Sequence, residues 1–339
     1  MKKVVKIRIL IIHTAFIGDI VLSTPLLKKI KDVYPNSDIT YVTTPVGASI
    51  LRNNPHISEI IEYDKRGKHK GILGIYQLGK RLKYENFNMV ITPHRYMRSS
   101  ILSWLTGSPV RKGYDNADLS FLYTEKIKYD KKKHEVEKLL SFISKDTEKR
   151  YEIELYPNIK DIEKVDEFLK DYKDKKIVVI APGSKWFTKK WPLEYFNVLL
   201  KELKNRKDII LAVVGGNEER ALNIETGGNI VDFRGKTTLL ELAELIRRSE
   251  LIVTNDSSPI HIASAWKNVK IFAIFGPTVK ELGFFPWSKN SIVYQRENLK
   301  CRPCSLHGGD KCPQKHFKCM LEIKPELILE DIYKTIGRE

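Results

Sequence analysis

At 339 residues, with 42% hydrophobic and 30% charged residues, the chain is too long for one ordinary core and reads as a globular protein of two domains of about 150 residues each. Its formal net charge of +17 points to an anionic partner: nucleic acid, an anionic membrane or a phosphorylated substrate. No apolar run approaches the ~20 residues that span a bilayer, and the absence of helix-turn-helix, zinc-finger or RNP-type patterns argues against nucleic acid.

The opening MKKVVKIRILIIHTAF superficially resembles a secretory signal, but His13 interrupts the apolar run, Gly18 and Asp19 follow, and no small-residue cleavage site is present. It reads instead as a buried first strand over 7–12, in a protein expected in the cytoplasm. Further strands are expected at 38–43, 58–63 and 87–92, with an amphipathic crossover helix over 21–34 in which Pro25 marks a kink or a first turn. Basic clusters stand at 65–71 and 128–134. A charged, poorly apolar stretch at 144–176 then separates this half from a second series. That series has strands at 176–181, 209–214, 229–233, 251–254 and 269–275, interleaved with helical patterns such as TTLLELAELIRRSE, where Thr238 and Glu241 have capping-box spacing. The alternation predicts an α/β architecture of two Rossmann-like, doubly wound domains facing a central cleft, with ligands at the carboxyl ends of the strands.

Polar motifs follow the strands where such a fold binds ligands. After 251–254 comes NDSSPIHIASA, in which Ser258 suits an N-cap and Pro259 the first helical position; the unpaired N–H groups of a helix start suit a diphosphate. His261 falls in that first turn, and the alternative is that Asp256 and Ser258 merely cap the helix. APGSKWFTKKWP, after 176–181, brings Ser184, Lys185, Thr188, Lys189 and Lys190 to the same edge, where lysines can neutralise a diphosphate leaving group without a metal. VVGGNEER permits close backbone approach at Gly215 and Gly216, followed by acids able to hydrogen-bond a ribose; FGPT adds another turn and hydroxyl. In the first half, Gly18 and Asp19 follow the first strand, and an acid there either deprotonates an acceptor hydroxyl or caps the next helix.

HTAFIGDIVLSTPLLKKIK, PGSKWFTKKWP, RGKTTLLELAELI, TNDSSPIHIASA and FGPT occur in the order found in the ADP-heptose:lipopolysaccharide heptosyltransferases, glycosyltransferase family nine, and the chain resembles heptosyltransferase II in particular. The resemblance runs from about residue 6 to the end and implies a GT-B fold. In it, residues 1–170 bind acceptor, 175–324 bind the nucleotide sugar, and a terminal helix in 325–339 packs back toward the first domain. It also implies inverting transfer of heptose from ADP-heptose to the inner core of lipopolysaccharide, with no cofactor required for catalysis. Carried over by motif, Asp19 resembles the general base and Lys189 the lysine that steadies the donor phosphates, joined by Ser184 and Thr188. Asp256, Ser257, Ser258 and His261 match the donor-holding element, with Gly276, Pro277 and Thr278 closing the same edge, and Glu218 or Glu219 resembles the ribose-binding acid. Ser258 stands where the family usually has glycine, which puts donor preference in question. Gly18, Arg95 and Arg98 are the acceptor-side candidates. The implied acceptor is a phosphorylated glycolipid, giving the positive charge a purpose at the inner face of an anionic inner membrane. The alternatives are a relative using another nucleotide sugar or acceptor, and a nucleotide-sugar-binding protein without transfer activity.

All four cysteines, Cys301, Cys304, Cys312 and Cys319, fall in one short segment spaced C-x2-C-x7-C-x6-C. Four thiolates suit a structural zinc; free or redox-active thiols are the equal alternative, ahead of an iron–sulfur centre or disulfides.

Overall fold

The computed structural model describes residues 6–65, 67–144 and 149–338; Arg66 of the first basic cluster and residues 145–148 of the charged stretch lie outside them. The chain divides between Tyr156 and Pro157 into two compact units.

The first unit runs β1 (Ile7–Ile12), α1 (Ile17–Leu22), α2 (Thr24–Val33), β2 (Ser37–Thr43), α3 (Pro45–Leu51), β3 (Glu59–Glu62), α4 (Gly71–Tyr84), β4 (Met89–Thr92), α5 (Met97–Leu105), β5 (Val110–Tyr114), β6 (Glu125–Ile127) and α6 (Glu135–Leu140). Its six strands are all parallel, in the order β3-β2-β1-β4-β5-β6. β1 is apolar from Ile9 to Ile12, all fully buried, because helices cover both faces of a parallel sheet. The helix expected over 21–34 is two helices: Ser23 closes α1 and precedes α2, and Pro25 lies in the first turn of α2, where its missing N–H costs nothing.

The second unit runs α7 (Ile159–Leu169), β7 (Lys176–Ala181), α8 (Leu193–Leu203), β8 (Ile209–Val213), β9 (Ile230–Asp232), α9 (Leu239–Arg247), β10 (Leu251–Asn255), α10 (Ser258–Ala263), β11 (Lys270–Phe275), β12 (Ser291–Gln295), α11 (Lys318–Leu321) and α12 (Pro325–Ile336). Its parallel strands take the order β12-β11-β10-β7-β8-β9. Both sheets therefore follow the same doubly wound order and reverse direction of winding once, between β1 and β4 and between β7 and β10. Such switch points open the loops at the carboxyl ends to a ligand.

Three features complete the organisation of the second unit. Helix α7 lies inside the charged stretch, capped by Asn158 and Asp161, and belongs to the second unit rather than to a domain ending at 170. The segment EERALNIET between β8 and β9 forms only a short 3₁₀ turn at Glu218–Ala221. The terminal helix α12 buries Ile328, Leu329, Ile332 and Ile336 in the second unit's own core, with Val178, Phe196 and Leu200. The indole N–H of buried Trp191 donates to the Ile323 carbonyl at 2.8 Å and ties the start of this terminal segment to the sheet. Truncation of a fully buried isoleucine loses its transfer energy and leaves a cavity, so Ile332→Ala should lower the stability of the second unit by about 2–5 kcal/mol. Leu327, on the half-exposed side of the same helix, is the control: Leu327→Ala should change it by no more than about 0.5 kcal/mol. Urea unfolding of both variants checks the contrast, and equal losses would contradict this docking.

Candidate functional site

In the second unit the chemistry gathers at the switch point. The Lys189 ammonium lies 2.6 Å from Asp256 Oδ2, with both side chains largely buried. Thr278 donates its hydroxyl to the same carboxylate oxygen at 2.6 Å. Asn255, at the end of β10, donates to the Pro182 carbonyl at 2.7 Å and accepts from the Trp191 amide at 3.0 Å, locking the β7 loop to the β10 loop across the switch. Ser257 Oγ donates to the Gly183 carbonyl at 3.3 Å and reinforces that lock. His261 is buried beside Lys189; burial first, and that ammonium second, push its pKa down to about 3, so the ring is neutral at physiological pH. Its Nδ1 has no hydrogen-bond partner among the described residues, an orphaned buried nitrogen of the kind a bound ligand satisfies.

Helix α10 is capped by Ser257, one residue earlier than expected, and Ser258 occupies its first turn. Ser258 is absent from the residues with left-handed backbone, so serine carries no backbone strain where the family pattern has glycine.

Thr188, expected to face the donor, is committed elsewhere. Its hydroxyl donates to the Gly309 carbonyl at 3.0 Å and accepts from the Gly309 amide at 2.8 Å, holding the Lys189 turn to the cysteine segment. Gly308, with φ +89, lies so close to Trp186 and Lys189 that a Cβ there would meet their side-chain atoms at 3.0 and 3.1 Å. The same segment grips the opposite loop: Arg302 donates to the carbonyls of Phe275, Gly276 and Thr278, and the Cys304 amide donates to the Pro277 carbonyl at 2.9 Å. Arg302 was not singled out by sequence, because nothing in a basic residue between two cysteines announces a buried carbonyl clamp.

The four thiols expected to hold zinc lie within electrostatic reach of one another, Cys319 with Cys301, Cys304 and Cys312. Among the described residues no three His, Cys, Asp or Glu side chains converge to hold a metal ion. Cys304 donates to the Cys301 carbonyl at 3.0 Å, Cys301 Sγ sits 3.8 Å from His316 Nε2, and burial pushes the Cys319 thiol up to about 11. A thiol at that value is protonated and not a nucleophile.

The Glu218–Ala221 turn separates the two candidate acids. Glu219 packs its side chain against Gly183 and Gly215 and accepts from the Gly216 amide at 2.8 Å, whereas Glu218 is exposed. Arg234 braces this turn from beneath, donating to the carbonyls of Glu219 and Leu222.

In the first unit the loops after β1 and β4 meet at their own switch point. Thr14 Oγ1 and His94 Nδ1 are 3.3 Å apart, Ser99 Oγ lies 2.7 Å from the same nitrogen, and Lys65 donates to the Thr14 carbonyl at 3.1 Å. Burial, then the charges of Lys65 and Arg95, hold His94 near pKa 4; burial and His94 hold His13 near 3. Asp19, in the first turn of α1, accepts from the Phe16 amide through Oδ2 at 3.2 Å, so the capping alternative is real and also fixes the carboxylate's orientation. Gly18 precedes it in the same turn. Arg95 stacks over Tyr129 at 4.3 Å and Arg98 lies within electrostatic reach of Tyr63, so the two arginines flank His94 on diverging sides. Sequence reasoning missed His94 and Lys65; their position beside expected strands was the available signal.

The folded-state pKa values of His13 and His261 lie below the ordinary value near 6.5, so the unfolded chain binds more protons below pH 6.5. Their contribution is complete above pH 6.5 and is lost as pH falls toward 3. At pH 5 each should cost about 2 kcal/mol of unfolding free energy relative to pH 7.5. His261→Gln should remove that share of the second unit's pH dependence in urea unfolding; an unchanged slope would contradict the buried neutral ring.

A family model described as glycosyltransferase family 9 (heptosyltransferase) matches residues 75–314. A lipooligosaccharide heptosyltransferase 2 of Campylobacter jejuni is 28% identical over 332 residues, spanning 94% of this chain and 96% of that protein. The crystal structure of a glycosyl transferase family 9 protein from Veillonella parvula superposes with a TM-score of 0.85 at 22% identity, over 97% of this chain and 96% of that one. The ADP-heptose heptosyltransferase II structure from E. coli superposes at 0.79 with 19% identity, over 97% and 98%.

Proposed function

The chain belongs to glycosyltransferase family 9, the heptosyltransferases, and has the GT-B fold; from that premise we propose that it transfers heptose from ADP-heptose to the phosphorylated inner core of lipopolysaccharide, with inversion and without a metal. The observation that carries the reading is the Lys189–Asp256–Thr278 cluster with neutral His261 at the switch point of the second unit. A diphosphate there meets a fixed ammonium in a largely dry site, where charge is worth more than in water. Asp19 takes the proton of the acceptor hydroxyl, and the resulting oxygen attacks the anomeric carbon. The bond from that carbon to the diphosphate oxygen breaks, and ADP leaves with its new negative charge facing Lys189. Displacement on the face opposite the leaving group inverts the anomeric configuration.

The acceptor side rests on the Lys65, Arg95 and Arg98 charges around His94, which suit an anionic glycolipid. On the donor side Glu219, aimed into the glycine shelf of the β7 and β8 loops, is the acid for the ribose. Glu219→Gln should weaken ADP binding by about tenfold, one good charge-assisted hydrogen bond, while Glu218→Gln leaves it unchanged, as titration calorimetry with ADP would read. Equal effects would contradict the assignment.

The direct test is mass spectrometry of a truncated lipopolysaccharide acceptor incubated with enzyme and ADP-heptose, ADP-hexose or UDP-hexose in turn. Gain of one heptose with ADP-heptose alone is expected, and Asp19→Asn should lower the rate at least about 10²-fold with ADP affinity intact. Gain with another donor makes the chain a relative of different donor preference; no gain with any donor leaves a nucleotide-sugar-binding protein.

A further inference from the structure

The first basic cluster runs directly into an exposed apolar helix start. Ile72, Leu73 and Tyr76 of α4 are 84, 74 and 56% exposed, while Gly74, Ile75, Leu78 and Leu82 turn into the core of the first unit. Large aliphatic side chains at that exposure gain nothing from the fold and mark a contact surface. Immediately before them, residues 65–70 carry four lysines and arginines.

This strap is a built feature. The Asp64 carboxylate accepts from the amides of Gly67 at 2.9 Å and Lys68 at 3.4 Å, the His69 amide donates to the Asp64 carbonyl at 2.8 Å, and the His69 ring packs on Tyr63. Gly74 lies so near the strap that a Cβ there would meet the His69 carbonyl carbon at 2.4 Å, so only glycine lets strap and helix close on one another. Asp64 is engaged by the strap amides and Glu59 by Arg81 at 2.8 Å. Lys68 and Lys70 are exposed beside Ile72 and Leu73.

We propose that the strap and the first turn of α4 are a membrane-docking edge, which lays Ile72, Leu73 and Tyr76 into the headgroup boundary of an anionic bilayer with Lys68 and Lys70 on lipid phosphates. Aliphatic and aromatic side chains beside clustered lysines are the composition of interfacial helices. Lysine is depleted from protein–protein interfaces, and a two-fold contact with a second copy would set like charge against like. Among the described residues no helix is long and apolar enough to cross a membrane, so attachment at this edge is by surface contact. The other end of the strap reaches the acceptor-side loops, where Lys65 donates to the Thr14 carbonyl. The edge thus rests on the proposed function only in that it brings a lipid-anchored acceptor to those loops.

The test is co-sedimentation with vesicles of phosphatidylethanolamine and phosphatidylglycerol, against vesicles of phosphatidylcholine alone. Wild-type protein should bind the anionic vesicles and be released by high salt. The pair Ile72→Ser and Leu73→Ser, and separately Lys68→Glu and Lys70→Glu, should each reduce binding by about tenfold or more. Thermal unfolding and transfer to a delipidated acceptor should stay unchanged in both. Wild-type binding to neither vesicle, or variants that bind as well as wild type, would overturn the proposal. So would an apolar variant that changes sedimentation velocity, since that assigns the edge to a second copy. Absence of transfer to the delipidated acceptor by wild-type protein is instead a failure of the transferase reading, read independently of the vesicles.

Discussion

The ion pair between Lys189 and Asp256 is the constraint around which the second unit is built. Both groups are withdrawn from water, and the desolvation cost of such a pair is recovered only when geometry and neighbouring hydrogen bonds are good. Removing either partner would leave the other charge buried, at about 3–5 kcal/mol. Thr278 completes the carboxylate, and the residues that fix the loops come from a segment without regular structure. Arg302 holds the carbonyls on the Thr278 side; Gly309 holds Thr188 on the Lys189 side. Phe317 stacks on Phe187 at 5.5 Å and closes the same contact. The cysteine segment is therefore a buckle across the two loops that carry the charge.

The first unit solves a different electrostatic problem with the same topology. Its switch-point loops put two histidines among lysine and arginine, and burial keeps both rings neutral. Neutral imidazoles accept and donate hydrogen bonds without adding repulsion between cations, so the positive charge there is carried by Lys65, Arg95 and Arg98, of which Arg98 is exposed. His13 passes this order inward through Tyr41, 3.3 Å away, to Ser23 at 2.7 Å from the phenol, at the break between α1 and α2. The carboxylate of Asp19 stands on the helix that this break terminates.

Sequence carried the sheets better than their edges. Strands β1, β7, β8, β10 and β11 are largely apolar runs because they are covered on both faces, and that pattern is legible without tertiary context. β5 was missed because VRKGY reads as polar; Lys112 is nonetheless buried, with its ammonium paired to Glu125 at 3.0 Å. β6 and β12 are short edge strands, recognisable only by their neighbours. α7 hid in the charged stretch because Val165 and Leu169 are its only buried residues, although the Asn158–Asp161 capping box marked its start. At the site, the motifs identified which loops matter but not which way their side chains turn. Thr188 turned into the buckle, and Glu219 rather than Glu218 turned onto the glycines, because a 3₁₀ turn sends successive residues in different directions. Those outcomes depend on Gly309 and Gly183, which no local spacing connects to them.

Ser258 shows how the same argument bears on specificity. A glycine at this place invites the reading that the backbone needs a left-handed turn, but Ser257 is extended, with φ −152, and Ser258 enters the helix directly. The helix it begins has six residues, too short for a large dipole, so the charge that meets a diphosphate comes from the Lys189 side chain rather than from backbone. The serine therefore neither strains the loop nor removes its main source of attraction. What it changes is local: a hydroxymethyl group occupies half-buried space at the helix start and adds one donor and one acceptor. In the proposed transferase its effect falls on the shape of the donor at that point, while the Lys189–Asp256 pair, held from both sides, is the charge offered to the diphosphate.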